Sequence, residues 1–249
     1  MTRNAIADET RARRFLDELK EQRWDDHRLY HHSRVNQSLH LLSALSFLTS
    51  YALLALSPSV AALVGWIVAM CSRQVGHFFF EPKGYDEVNQ LTNQHKEDIK
   101  VGYNLRRKVV LLSIWAVLPF VIYAEPSLFG LLEPHEDWRG FVQNVAMVWL
   151  ALGAAGLLFR TVQLFFIRDV RTGLVWATKI LTDPIHDLKL YHKSPFYLLR
   201  GQLIDPMLQV SAAGEVHEGF EEADIYGDVL VPVLAVSEDE AERELKPAS

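Results

Sequence analysis

A chain of 249 residues with 49% hydrophobic content and a net charge of −6 is long enough to form one domain with a sizeable core. Its single cysteine, Cys71, excludes an intrachain disulfide framework, and the acidic balance gives no footprint of a nucleic-acid binder. No Gly-rich phosphate loop, Walker motif or serine elbow is present in the sequence.

In chain order, residues 5–30 mix acids and bases with Phe15, Leu16, Leu19 and Trp24, which predicts a charged amphipathic helix lying on a surface. So polar a start predicts no cleavable signal peptide, leaving the first apolar span to direct insertion. The apolar residues are then bunched into four blocks, Leu41 to Leu56, Val60 to Met70, Val109 to Ala124 and Val145 to Phe159, each 11 to 16 residues long and uncharged. A membrane span needs roughly 20 residues, so flanking positions must extend them. Leu39 and His40 extend the first, Gln74 to Phe80 the second and Leu164 to Ile167 the fourth, with Arg73 and Arg160 snorkelling toward the interface.

The expected fold is therefore all-α: an integral membrane protein with about four transmembrane helices. A soluble helical bundle with hydrophobic core helices is the alternative. The expected organisation is a cytoplasmic amphipathic segment over 1–36, a four-helix transmembrane domain over 37–167 with a loop at 81–108, an interfacial segment over 168–210, and an acidic tail over 211–249. Of the 25 Lys and Arg, 21 lie in 1–36, 81–108 and 160–210, whereas 57–59 has none and 125–144 only Arg139. By the positive-inside rule both termini and the 81–108 loop face the cytoplasm.

Ser57-Pro58-Ser59 predicts a tight hairpin between the first two spans, and Pro119 a kink in the third. Ala151, Gly153, Ala155 and Gly156 would let another helix approach the fourth span closely. Asp183-Pro184, Ser194-Pro195 and Asp205-Pro206 read as breaks between short interfacial helices. In the tail, Val229 to Val236 fits a short strand.

The ten histidines are unevenly placed. His27, His31, His32 and His40 precede or open the first span and His77 ends the second, so a hairpin of these spans brings sequence-distant imidazoles together on one face. Asn36 and His40 share a helix face, as do His77 and Glu81. His31 can join only if the helix begins after it, and Ser33 is a suitable N-cap. A histidine and carboxylate set suits non-haem Fe(II), while neutral imidazole equally suits zinc or copper. His95, in the cytoplasmic loop, is a further candidate ligand; His186 and His192 are candidates for the same site or a second one. His135 falls on the opposite face and His217 in the tail, away from any such site.

The run His31-His32-Ser33-Arg34-Val35-Asn36-Gln37-Ser38-Leu39-His40, followed by Gln74-Val75-Gly76-His77-Phe78-Phe79-Phe80-Glu81, resembles the membrane-bound 2-hydroxy-fatty-acid dioxygenase family of phytosphingosine breakdown. That family pairs a His, four residues, Asn, three residues, His pattern with Gln-x-Gly-His-x-x-x-Glu, and the match covers residues 25–85. The resemblance implies an Fe(II)-dependent oxygenase of the bilayer that uses dioxygen to shorten a 2-hydroxy fatty acid by one carbon. It implies His31, His40 and His77 as metal ligands, Glu81 as a fourth candidate, and a site role for Asn36. The chain departs from the family at Pro82-Lys83-Gly84-Tyr85-Asp86-Glu87, in the loop through His95, and after residue 168.

Arg73, Lys83, Arg106, Arg107 and Lys108 are candidate partners for a substrate carboxylate. Another histidine-cluster hydroxylase or desaturase is the competing enzyme reading, although such enzymes carry more His-x-x-His-His boxes. A membrane scaffold or transporter with metal- or pH-sensing histidines is the non-enzymatic one.

Overall fold

The computed structural model describes residues 3–81, 83–86, 89–103 and 105–207, excluding the side chains of 3–13, 105 and 106. The expected acidic tail, the strand at Val229 to Val236 and His217 lie outside the described residues. Every element among the described residues is helical. Helix α1 (Arg3–Tyr30) is the expected charged amphipathic helix. Ser33 caps α2 (Arg34–Leu54): its backbone is extended and its hydroxyl accepts from the Asn36 N–H, so His31 and His32 form the link between the helices.

The Ser57-Pro58 turn starts α3 (Pro58–Phe80), with Pro58 in the first turn, where its missing N–H costs nothing. Two stretches of α3, Val64–Met70 and Gly76–Phe80, are wound as π-helix. The two helices run antiparallel: the Ser50 hydroxyl donates to the Ala61 carbonyl at 2.7 Å, and Gly76 lies against Asn36 and His40.

A short helix α4 (Asn93–Ile99), capped by Thr92, crosses the polar loop. Helix α5 (Leu105–Ala124) carries Pro119, and α6 (Trp138–Ile167) is capped by Asp137. Ile122, Phe141, Val145 and Trp149 form the buried apolar cluster, next to a tryptophan stack in which Trp66 and Trp115 lie 5.9 Å apart and Trp115 and Trp149 5.0 Å. The indole N–H of Trp66 donates to the Trp149 carbonyl and that of Trp149 to the Trp115 carbonyl, so two of the three indoles are packed with their donors satisfied.

Among the described residues three helices are long and apolar enough to cross a membrane: Pro58–Phe80, Arg107–Ala124 and Trp138–Ile167. Helix α2, the first of the four expected spans, differs because its packed face is polar: Asn36, Gln37, His40, Ser43 and Ser46 are all buried. Large apolar side chains such as Phe120, Leu158, Phe159 and Phe166 point outward instead. Polar residues inside and apolar residues outside is the arrangement that suits a lipid solvent.

The region after residue 168 is not broken at Asp183-Pro184. Helix α7 (Val170–Tyr191) runs 22 residues through Pro184, and the short α8 (Ser194–Leu199) follows, with Pro195 in its first turn. Pro184 is fully buried, and Asp183 before it is held by Lys179 and Arg23, so tertiary ion pairing outweighs the local cost of an interior proline. Helix α7 packs on both α2 and α6.

The joint between α6 and α7 requires a glycine. A Cβ on Gly173 would lie 2.6 Å from the Phe165 ring and 2.8 Å from the Thr161 carbonyl oxygen, whereas one on Gly156 meets nothing within 4 Å. Gly173→Ala should therefore destabilise by about 1–3 kcal/mol, as overpacking does. Gly156→Ala should not. Thermal unfolding of the two variants in the same detergent checks this.

Candidate metal centre

Three imidazoles meet at the start of α2 and the end of α3. Nitrogen atoms of His31, His40 and His77 all lie within 4.8 Å of one another, and the Nε2 atoms of His31 and His40 are 3.2 Å apart. The ring centroids are 4.2 Å (His31 to His40), 4.9 Å (His40 to His77) and 5.3 Å (His31 to His77) apart, in edge-to-face arrangements. His31 and His40 are 1% and 0% exposed, so this is an interior site.

The second nitrogen of each ring faces a different acceptor. His31 Nδ1 donates to the Asp26 carbonyl at 2.7 Å, and His77 Nδ1 donates to Glu81 Oε2 at 2.6 Å. His40 Nδ1 lies 3.6 Å from Asp187 Oδ2 and has no hydrogen-bond partner among the described residues. With Nδ1 carrying the proton, Nε2 of His31 and of His77 presents a lone pair, the tautomer a metal ligand needs. Burial and the neighbouring His40 ring hold His31 well below the usual histidine range, so it stays neutral.

This donor set fits a divalent transition metal: three convergent neutral nitrogens, with open positions remaining. Glu81 stands behind His77, its Oε2 engaged by the Nδ1 of that ring; burial also pushes its carboxyl up. That contact is the one an orienting carboxylate makes to a ligand histidine.

Asn36 is fully buried at 0% exposure and donates to the Tyr30 carbonyl at 2.9 Å, which ties the end of α1 to α2 beside His31. Its Oδ1 faces Gly76, where an added Cβ would sit only 2.2 Å away. The glycine before His77 is thus what lets the two helices approach. Asn36 therefore shapes the site through this contact.

His95 does not join this group. It is exposed on α4, its backbone N–H bonded to the Thr92 hydroxyl. His192 is likewise exposed, with Nδ1 bonded to the Lys189 carbonyl at 2.8 Å, and His186 lies between α1 and α7 beside Arg23 and Leu19. His135 packs on Phe141 beside the apolar cluster.

Sequence reading missed the contribution of α7. Lys179, Asp183, Asp187 and Tyr191 recur every four residues and are all buried, forming one row against the site. Arg73 donates to Asp187 at 3.0 Å and lies 3.8 Å from Asp183, and Lys179 bonds Asp183 at 2.6 Å and Asp26 at 3.0 Å. Burial raises the Asp26 carboxyl, but Lys179 and Arg73 outweigh it and hold the group well below the usual range. Tyr191 packs near His31 and His40, with ring centroids 5.6 Å and 6.2 Å away, and its hydroxyl is 3.2 Å from His27 Nδ1. The four-residue period was readable; taking Pro184 as a break concealed it.

Gln37 secures the histidine link from the other side. Its amide donates to the His31 carbonyl and to Asp205, both at 2.8 Å, and its Oε1 accepts from Ser194 at 2.6 Å.

A cavity of about 360 Å³ opens beside the imidazoles. Its polar end holds Asp26, Arg73, His77, Lys100 and Lys108, and its walls are apolar, among them Phe47, Trp66, Leu111, Leu152 and Leu157. The volume lies in the range of small-molecule sites. No family model, curated protein or solved structure matches the chain.

Orienting carboxylates behind a metal-bound histidine are worth about 10 to 100-fold in affinity. Glu81→Gln and Asp187→Asn should each weaken metal binding by about that factor at unchanged stoichiometry, while His95→Ala changes nothing. Chelator competition on detergent-purified protein measures all three. Full affinity in both carboxylate variants would remove them from the site.

Proposed function

We propose that this chain is an integral membrane, metal-dependent lipid oxygenase, with non-haem iron as its metal and a 2-hydroxy fatty acid as its substrate. The observation that carries the reading is the juxtaposition of three convergent imidazoles, two of them buried and the third half-buried, with an amphipathic cavity. The resemblance over residues 25–85 supports the same chemistry, since its His, Asn, His and Gly-His-x-x-x-Glu positions supply the three imidazoles, Asn36, Gly76 and Glu81.

On this reading His31, His40 and His77 hold the iron. Bound there, Fe(II) supplies chelation of the substrate's carboxylate and hydroxyl and activation of dioxygen. The Asp26 carbonyl, Glu81 and Asp187 keep the rings aimed. The acyl chain lies along the apolar walls between α3, α5, α6 and α7, which excludes water from the reacting end.

Helix α2 counts as the fourth span, its buried polar face turned to the bundle. The concentration of Lys and Arg in segments 1–36, 81–108 and 160–210 supports a cytoplasmic site end. In a Cys71→Ser background, a cysteine at exposed position 90 should resist labelling by an impermeant reagent on intact cells and label after lysis. Efficient labelling from outside would invert the topology.

His77→Ala should lose both bound iron and dioxygen uptake with a 2-hydroxy fatty acid, and His135→Ala should keep both. The measurements are metal content, an oxygen electrode and detection of the one-carbon-shorter acid. Full turnover by His77→Ala would refute the oxygenase reading, and a well-folded wild-type protein without iron would remove its chief support.

A further inference from the structure

The polar end of the cavity holds four cations, and three of them are satisfied. Arg73 is engaged by Asp187 and Asp183, and Lys179 by Asp26 and Asp183. Lys100 is 3.3 Å from Glu97 and 3.8 Å from Glu81, and its ammonium sits 3.7 Å above the Tyr30 ring. Lys108 is half-buried, lines the same cavity, and makes no ion pair or hydrogen bond among the described residues. An ammonium turned into an apolar cavity with no carboxylate in ion-pair contact is costly, because burial and Lys100 oppose its charge more than the more distant Glu81 and Asp26 support it, and an anionic guest removes that cost.

A second unsatisfied group lines the same space. Gln74 is three residues before His77 on α3; its amide nitrogen contacts Met70 Sδ at 3.4 Å, but its Oε1 is buried without a hydrogen-bond partner. A carbonyl oxygen can only accept, so what completes it is a donor such as a hydroxyl. The cavity thus offers one free positive charge and one free acceptor at its polar end. From His77 to Trp66 is eleven residues, roughly 16 Å at 1.5 Å per residue, of apolar wall for a chain.

We propose that Lys108 and Gln74 form a head-group reader, Lys108 receiving the carboxylate of a single-chain lipid acid and Gln74 accepting from a hydroxyl beside that carboxylate. The assignment deepens the oxygenase reading and rests on it for the direction in which the substrate lies. It separates Lys108 from the other basic residues near the site: Lys83 is exposed, and Arg107 is exposed at the edge of α5.

The test is equilibrium binding under nitrogen, which prevents turnover, of three radiolabelled lipids of equal chain length: a 2-hydroxy acid, the unsubstituted acid and the 1,2-diol. Wild type should bind the hydroxy acid best and the diol worst. Lys108→Met should weaken both acids at least about tenfold and leave the diol within about twofold, since the lost contact is charge-assisted. Lys108→Arg should restore acid binding. Gln74→Leu should weaken the hydroxy acid about three- to tenfold, to the level of the plain acid, and leave the plain acid unchanged.

Equal losses for all three lipids in Lys108→Met, or a plain-acid loss in Gln74→Leu as large as the hydroxy-acid loss, would overturn the assignment. Should the variants fail to fold, the wild-type order decides: a diol bound as tightly as the acids ends the proposal. Repeating the series on metal-free protein separates the two readings. Acid preference that survives without iron, in a chain that takes up no oxygen, keeps the head-group reader and discards the oxygenase; iron and oxygen uptake without acid preference does the reverse.

Discussion

The close approach of α2 and α3 at Gly76 is the contact on which the site depends. His40 and His77 sit on different helices, and their rings can share a focus only if the two backbones come near at this level. Asn36 occupies the space that any side chain at residue 76 would need. Its amide also ties back to the Tyr30 carbonyl, so the same side chain fixes the turn that delivers His31. One hydrogen-bonded amide and one missing Cβ thus bring three separate histidines to one place.

Burying those rings creates an electrostatic problem that α7 solves. Asp26, Asp183 and Asp187 would be unstable as isolated charges in such an interior, and so would Arg73 and Lys179. Interleaved, each carboxylate touches a cation and each cation touches two carboxylates. The network leaves Asp187 3.6 Å from His40 Nδ1 while its charge is held by Arg73, so the carboxylate nearest that ring has its own position fixed.

Much of this was legible in the sequence. The charged first helix, the Ser33 cap, the hairpin and the convergence of His31, His40 and His77 follow from spacing and capping alone. The role of Glu81 was less readable, because i,i+4 spacing says that it lies near His77 without saying whether its oxygen faces the ring or the centre of the histidine cluster. His95 was misplaced because a loop histidine carries no periodicity to give its direction; the helix that forms there turns it to solvent. Asp183 and Asp187 were hidden by a local rule: proline usually ends helices, but here long-range ion pairs carry the helix through it. Lys108 and Gln74 cannot be told from other polar residues at a helix end until it is known which of their neighbours already have partners.

The strap formed by residues 201–207 bears on how the protein is made. Asp205 bonds Gln37 across 168 positions of sequence, its backbone N–H caps the His32 carbonyl, and Leu203 accepts from the Arg34 N–H. During synthesis the histidine-bearing link emerges well before the residues that hold it, which follow only after every apolar helix has been made. A nascent chain therefore carries the imidazoles for most of its translation without the framework that aims them. The final aim of the three rings is therefore set by assembly of the bundle and not by the hairpin alone.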